Sequence, residues 1–113
     1  MAKIEPVSDP TYSLATVKAL AANPAARRLT VSAEISALSE LGMDRAAVFA
    51  AVAALTAADF YKTMPSETVE GLAQDVYRPR VVCPSYPEGV SVYCKVQLVG
   101  QRVVLNVISF KRK

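Results

Sequence analysis

Three divisions of the sequence near Lys62 predict an α+β fold, with about three helices packed on one face of a mainly antiparallel β-sheet. Seventeen of the eighteen alanines precede Lys62, and eleven of the sixteen valines follow it. Alanine is the best helix former and valine favours a pleated surface, so a helical half should precede a sheet-forming half. Charge divides at the same point. Residues 1–61 carry five basic and six acidic side chains, whereas residues 62–113 carry eight and four. The net +3 of the chain therefore belongs to the predicted sheet, and suits an anionic partner such as nucleic acid. At 113 residues the expectation is a single domain over 1–113, mainly helical over 11–62 and sheet-forming over 73–113.

Each element has its own signal. Ser13 is placed to cap a helix carrying Leu14, Val17 and Leu20, stopped by Asn23-Pro24. Arg27–Val31 reads as a small extra strand. A second helix starts near Ser32, presents Ile35, Leu38 and Leu41, and stops at Gly42, which suits a left-handed C-cap. Asp44 caps a third, with Val48, Phe49, Val52 and Leu55 on its apolar side. Thr56–Asp59 resembles one further turn leading into Phe60-Tyr61-Lys62, and residues 65–72 read as a loop. Strands are expected over Ala73–Arg78, Val90–Val99 and Arg102–Lys111, with the Pro-rich run Cys83–Gly89 separating the first two. Gly100-Gln101 is a tight connection, so the last two should pair antiparallel.

Composition excludes whole classes of chemistry. The chain has no histidine, which removes serine–histidine and cysteine–histidine catalysis, histidine-based zinc sites and the two-histidine ribonuclease mechanism. Cys83 and Cys94 fit no metal-ligand spacing. The longest apolar run, Ala46–Leu55, is ten residues, half of what a bilayer span requires. Met1–Pro6 lacks the apolar core of a secretory signal. A soluble cytoplasmic protein with no membrane partner is expected.

Strand alternation puts Val90, Val92, Cys94, Val96 and Leu98 on one face, against the helices, and Ser91, Tyr93, Lys95 and Gln97 on the other. Gln74, Val76 and Arg78 share a face in the preceding strand. A half-solvated polar face is ordinary for an antiparallel sheet. Its sign is the distinguishing feature: Tyr93, Lys95, Lys111, Arg78 and Arg80 gather without a matching set of acids. Phe60 and Met64 are expected to pack in the core.

Four ordered blocks carry a family resemblance: Asp59-Phe60-Tyr61-Lys62-Thr63-Met64, Gln74-Asp75-Val76-Tyr77-Arg78-Pro79-Arg80, Val92-Tyr93-Cys94-Lys95, and Val107-Ile108-Ser109-Phe110-Lys111. Together they resemble the MqsR family, messenger-RNA-cleaving toxins of bacterial type II toxin–antitoxin systems with a RelE-like fold. The similarity runs from about residue 12 to the C-terminus. Two departures stand out: Ala73 replaces the tryptophan usual before the glutamine, and the Arg80–Val90 segment is longer. The resemblance implies an active centre of Lys62, Gln74, Tyr93 and Lys111. It also implies cleavage at GC-containing triplets such as GCU without metal or cofactor. A zinc-containing antitoxin, MqsA, would silence the protein, and DNA would be met only indirectly, through that complex at the operon.

The chemistry is physically coherent. Metal-free RNA cleavage uses the adjacent 2′-hydroxyl as nucleophile, and needs a base, an acid for the departing 5′-oxygen, and positive charge around the transition state. Without histidine these tasks fall to tyrosine and lysine, whose ordinary pKa values near ~10 are lowered by neighbouring cations. Tyr93 is assigned to proton transfer, Lys62 to partnering it or holding phosphate, Lys111 to the transition-state oxygens, and Gln74 to orienting a hydroxyl or phosphate. Arg78, Arg80 and Lys95 are candidates for holding the RNA backbone. Plainer roles exist for each: packing for Tyr93, solvated charge for Lys111, a helix-dipole contact for Lys62 and a cross-strand hydrogen bond for Gln74. Three rival functions remain open on sequence: a catalytically impaired RNA- or antitoxin-binding module of the same fold, a DNA-binding regulator and a small-molecule enzyme. The last two lack a basic recognition helix and a phosphate loop, respectively.

Overall fold

Helix signals and strand signals segregate along the chain as the composition dictates. The computed structural model describes residues 10–66, 70–100 and 103–113. Helix α1 (Leu14–Ala21) is capped by Ser13, whose hydroxyl accepts from the Thr16 N–H. A 3-10 turn (Pro24–Ala26) leads to β1 (Arg27–Leu29), the small strand anticipated from sequence. Helix α2 (Val31–Ser36), capped by Thr30, continues as a wider π turn over Ala37–Leu41 and stops at Gly42 in the left-handed region, φ 69°. Helix α3 (Arg45–Ala53) is capped by Asp44 and buries Val48, Phe49 and Val52.

Strands β2 (Phe60–Pro65), β3 (Ala73–Tyr77), β4 (Arg80–Cys83), β5 (Tyr86–Val99) and β6 (Val104–Arg112) complete the molecule. The sheet runs β1-β6-β5-β3-β2, with β4 paired to the outer part of β5. Every pairing is antiparallel except β1 with β6, which is parallel. The β5–β6 pairing is as expected, although Gln101 and Arg102 lie outside the described residues. So do residues 67–69 of the expected 65–72 loop and the N-terminal segment read for a signal.

Three expectations need correction. Two strands went unread. Phe60–Pro65 is an edge strand rather than the tail of a helical turn. The Pro-rich run is a hairpin, in which Cys83 pairs with Tyr86 around Pro84-Ser85. An edge position tolerates Pro65 and Pro87, whose missing N–H groups need no sheet partner there. The second helix also faces differently. It buries Ala33, Ala37 and Leu41, spaced four apart, and exposes Val31, Ile35 and Leu38. Small side chains let the α2 backbone lie close on β6, and that close approach selects the alanine face over the larger apolar one.

One core fills the space between the helices and the inner sheet face, built on Val17, Leu41, Phe49, Val52, Val92, Cys94, Val96, Leu105, Val107 and Phe110. Burial pushes the Cys94 thiol up to about 12. Tyr77 lies in the same layer, its ring edge-on to Phe60 at 5.6 Å, and its hydroxyl finds no hydrogen-bond partner. Burial, then the charges of Asp75 and Cys94, pushes that phenol up to about 12. No helix of the described residues is long and apolar enough to cross a membrane.

Asp75 ties the segment before α1 to the sheet. Fully buried, its carboxylate accepts from the Thr11 N–H at 3.0 Å, the Tyr12 N–H at 2.9 Å and the Thr63 hydroxyl at 2.7 Å. The Tyr12 hydroxyl donates to the Ala73 carbonyl at 2.7 Å. Several charge-assisted hydrogen bonds are what a buried carboxylate requires.

Candidate active site

Directly paired residues of neighbouring strands point to the same side, so the register maps the outer face. Across β6, β5, β3 and β2, one row reads Asn106, Gln97, Gln74 and Met64. The next reads Ser109, Lys95, Val76 and Lys62. Beyond it Lys111 pairs with Tyr93, and Arg78 follows Tyr77 on the same face as Val76. Lys62, Gln74, Tyr93 and Lys111 thus share one face of one sheet. Arg78 and Lys95 join them there.

Two β-bulges put both lysines on this face. In β2 the register steps from Phe60↔Tyr77 to Lys62↔Val76, leaving Tyr61 as the extra residue. In β6 it steps from Val107↔Val96 to Ser109↔Lys95, leaving Ile108 extra. Core positions in β6 accordingly change from Leu105 and Val107 to Phe110, and Ser109 and Lys111 turn outward. An added residue in a period-two element re-aims every side chain beyond it.

Tyr93 is half-buried. Its hydroxyl donates to the Met64 Sδ at 3.7 Å. Since β3 lies between β5 and β2, the ring reaches diagonally across β3, where Val76 is fully buried. A thioether is a weak acceptor, so the phenol proton is not locked into a strong bond. The Lys111 Nζ stands 5.6 Å from the Tyr93 ring centroid. Gln74 is 5 % exposed, and its Nε2 donates to the Gln97 Oε1 at 2.8 Å. That bond is the cross-strand role foreseen for it, and it fixes the amide in the floor of the face.

Lys62 sits in mid-strand rather than at a helix end, which removes the helix-dipole reading. Among the described residues none of Lys62, Lys95, Lys111 or Arg78 is paired with an acid; the ion pair between described side chains is Arg45–Glu34, at 3.7 Å elsewhere. Among the described residues the face is thus electropositive, with its cations unpaired. Arg80 stands apart. Its Nη2 donates to the Glu88 and Gly89 carbonyls, both at 3.2 Å, bracing the β4–β5 hairpin. Gly89, within β5, adopts φ +95°, and a Cβ there would meet the Arg80 Nε at 2.9 Å, so this position requires glycine.

Residues 9–112 match the protein family described as "Motility quorum-sensing regulator, toxin of MqsA". The chain belongs to the MqsR toxin family. It is also 35 % identical over 104 residues to the mRNA interferase toxin MqsR of Escherichia coli (strain K12), covering 92 % of this chain and 95 % of that protein. The MqsR match spans all the described helices and strands and every predicted site residue.

Sequence reading missed part of this MqsR-family face. Met64, expected in the core, is half-buried on the outer side and receives the Tyr93 hydroxyl. Asn106, paired with the Gln97 that strand alternation already places here, extends the polar floor beside Gln74. Tyr61 stands out from the edge strand, 44 % exposed, with the Arg78 Cζ 3.4 Å above its ring centroid. Met64 was recoverable from sequence, because it lies two residues from Lys62 and strand alternation pairs such positions. Tyr61 was not, because its outward turn depends on a bulge.

Proposed function

We propose that this MqsR-family chain is an endoribonuclease that cuts mRNA at GC-containing triplets such as GCU without a metal ion, and that an MqsA-like antitoxin neutralises it. The observation supporting this reading is the shared face: Lys62, Gln74, Tyr93 and Lys111 meet on one electropositive surface, with no acid among the described residues paired to its cations.

In this mechanism the 2′-hydroxyl attacks the adjacent phosphorus and loses its proton to a base. The bond to the 5′-oxygen breaks as that oxygen takes up a proton, leaving a 2′,3′-cyclic phosphate and a free 5′-hydroxyl. Tyr93 carries proton transfer, since its hydroxyl is only weakly engaged. Lys62 partners it or steadies the phosphate. Lys111 reaches the charged non-bridging oxygens, and Gln74 lines the floor that orients the ribose-phosphate. Arg78 and Lys95 hold the RNA backbone, and Arg80 supports the hairpin while contributing exposed charge. The protein acts in the cytoplasm, where its substrate is, and meets DNA only through the antitoxin complex.

Purified protein incubated with a GCU-containing RNA in EDTA should yield shortened fragments ending in cyclic phosphate. Intact RNA, with binding retained, would instead identify a binding module that has lost catalysis.

A further inference from the structure

The geometry points to Tyr61 and Arg78 as a stacking platform for one nucleobase of the RNA, beside the phosphate site of Lys62. This inference rests on the ribonuclease reading above and adds a substrate contact to it.

Tyr61 is the unpaired residue of the β2 bulge. Its neighbour Phe60 packs inward on Tyr77, whereas the Tyr61 ring stands free of the core at 44 % exposure. Arg78 is fixed at its backbone, where its N–H donates to the Asp59 carbonyl at 2.7 Å. From there the guanidinium lies over the Tyr61 ring, Cζ 3.4 Å from the centroid. The Lys62 Nζ is 5.5 Å from the same centroid. An exposed aromatic ring, a guanidinium plane and an ammonium thus occupy one spot at the margin of the candidate active face.

The Arg78 guanidinium has no acid partner among the described residues, and its Nε is buried without a hydrogen bond. A buried donor left unpaired asks for an explanation that packing alone does not supply. Bases of single-stranded RNA stack on aromatic rings and on arginine planes, while nearby cations take the phosphate. Stacking accepts any base, because every base has a π-face. The platform therefore adds affinity evenly across sequences and leaves the cleavage consensus unchanged.

The chain has no tryptophan, so Tyr61→Trp introduces a sole indole at the platform, excited selectively over the remaining tyrosines. The probe is a labelled, GCU-containing hexanucleotide made uncleavable by a 2′-O-methyl group at the reacting ribose. Its binding is followed by anisotropy and tryptophan emission is followed in parallel, after circular dichroism has established that each variant folds. The expected result is quenching that saturates with the anisotropy. In cleavage assays with unblocked RNA, Tyr61→Ala should raise KM on the order of tenfold at unchanged kcat, with Tyr61→Phe close to wild type. Binding without quenching, or Tyr61→Leu performing as well as Tyr61→Phe, overturns the platform and leaves the ribonuclease reading standing. Absence of both binding and cleavage by the unsubstituted protein overturns the two together.

Discussion

The Lys111 ammonium stands 5.6 Å from the centre of the Tyr93 ring, at a directly paired position of β5 and β6. The two side chains sit together as one charged, proton-bearing unit at the margin of the polar floor. Removing the phenol proton by Tyr93→Phe should lower kcat by about 10²–10⁴-fold. Lys111→Ala should cost roughly 10²–10³-fold through lost transition-state stabilisation. If they act together, the double variant falls well short of the product of the single effects. Single-turnover cleavage of a short RNA, with thermal melts as the folding control, measures all three.

Unpaired cations make binding salt-dependent. Four contacts to phosphate, from Lys62, Arg78, Lys95 and Lys111, predict a slope of about −3 in a plot of log Kobs against log salt for single-stranded RNA. Lys95→Ala should reduce that slope by roughly 0.7 and weaken binding about equally for all sequences. A slope near zero would contradict the proposed electrostatic grip.

Asp75 holds three hydrogen bonds in a fully buried position, so truncation leaves the Thr11 and Tyr12 N–H groups without their acceptor. Asp75→Ala should destabilise the fold by roughly 3 kcal/mol. Asp75→Asn should fall between it and wild type, because an amide offers one acceptor oxygen rather than two. Urea unfolding at pH 7 gives both numbers.

Alkali should unfold the protein through its core. Burial pushes Cys94 from 9.0 up to about 12, and burial pushes Tyr77 from 10.0 up to about 12. Both groups ionise first in the unfolded chain, so the native state binds more protons over that interval and loses stability as pH rises. Stability should be level below pH about 9 and fall between about 9 and 12. Cys94→Val should flatten the early part of that fall. Denaturant midpoints across the range test it, and native Cys94 should resist thiol reagents at pH 8.

Much of this molecule is legible in its sequence. Caps at Ser13 and Asp44, the Gly42 stop and the alternation of β5 are local signals, and local physics decides them. Packing decided the rest. Nothing local in α2 distinguishes its alanine face from the stripe of Val31, Ile35 and Leu38, and the choice follows from how closely β6 lets the helix approach. The membership of the outer face was legible through its motifs. The turning of Tyr61 and the pairing of Lys111 with Tyr93 depend on registers across strands far apart in sequence.

Tyr61 and Ile108, the extra residues of β2 and β6, have a genetic consequence. Losing the Tyr61 or the Ile108 codon would let the ladder run regularly, with Lys62 still opposite Val76 and Lys111 still opposite Tyr93. A deletion at either place is one the sheet can absorb, because it removes a residue the ladder leaves unpaired and keeps every side chain beyond it on its own face.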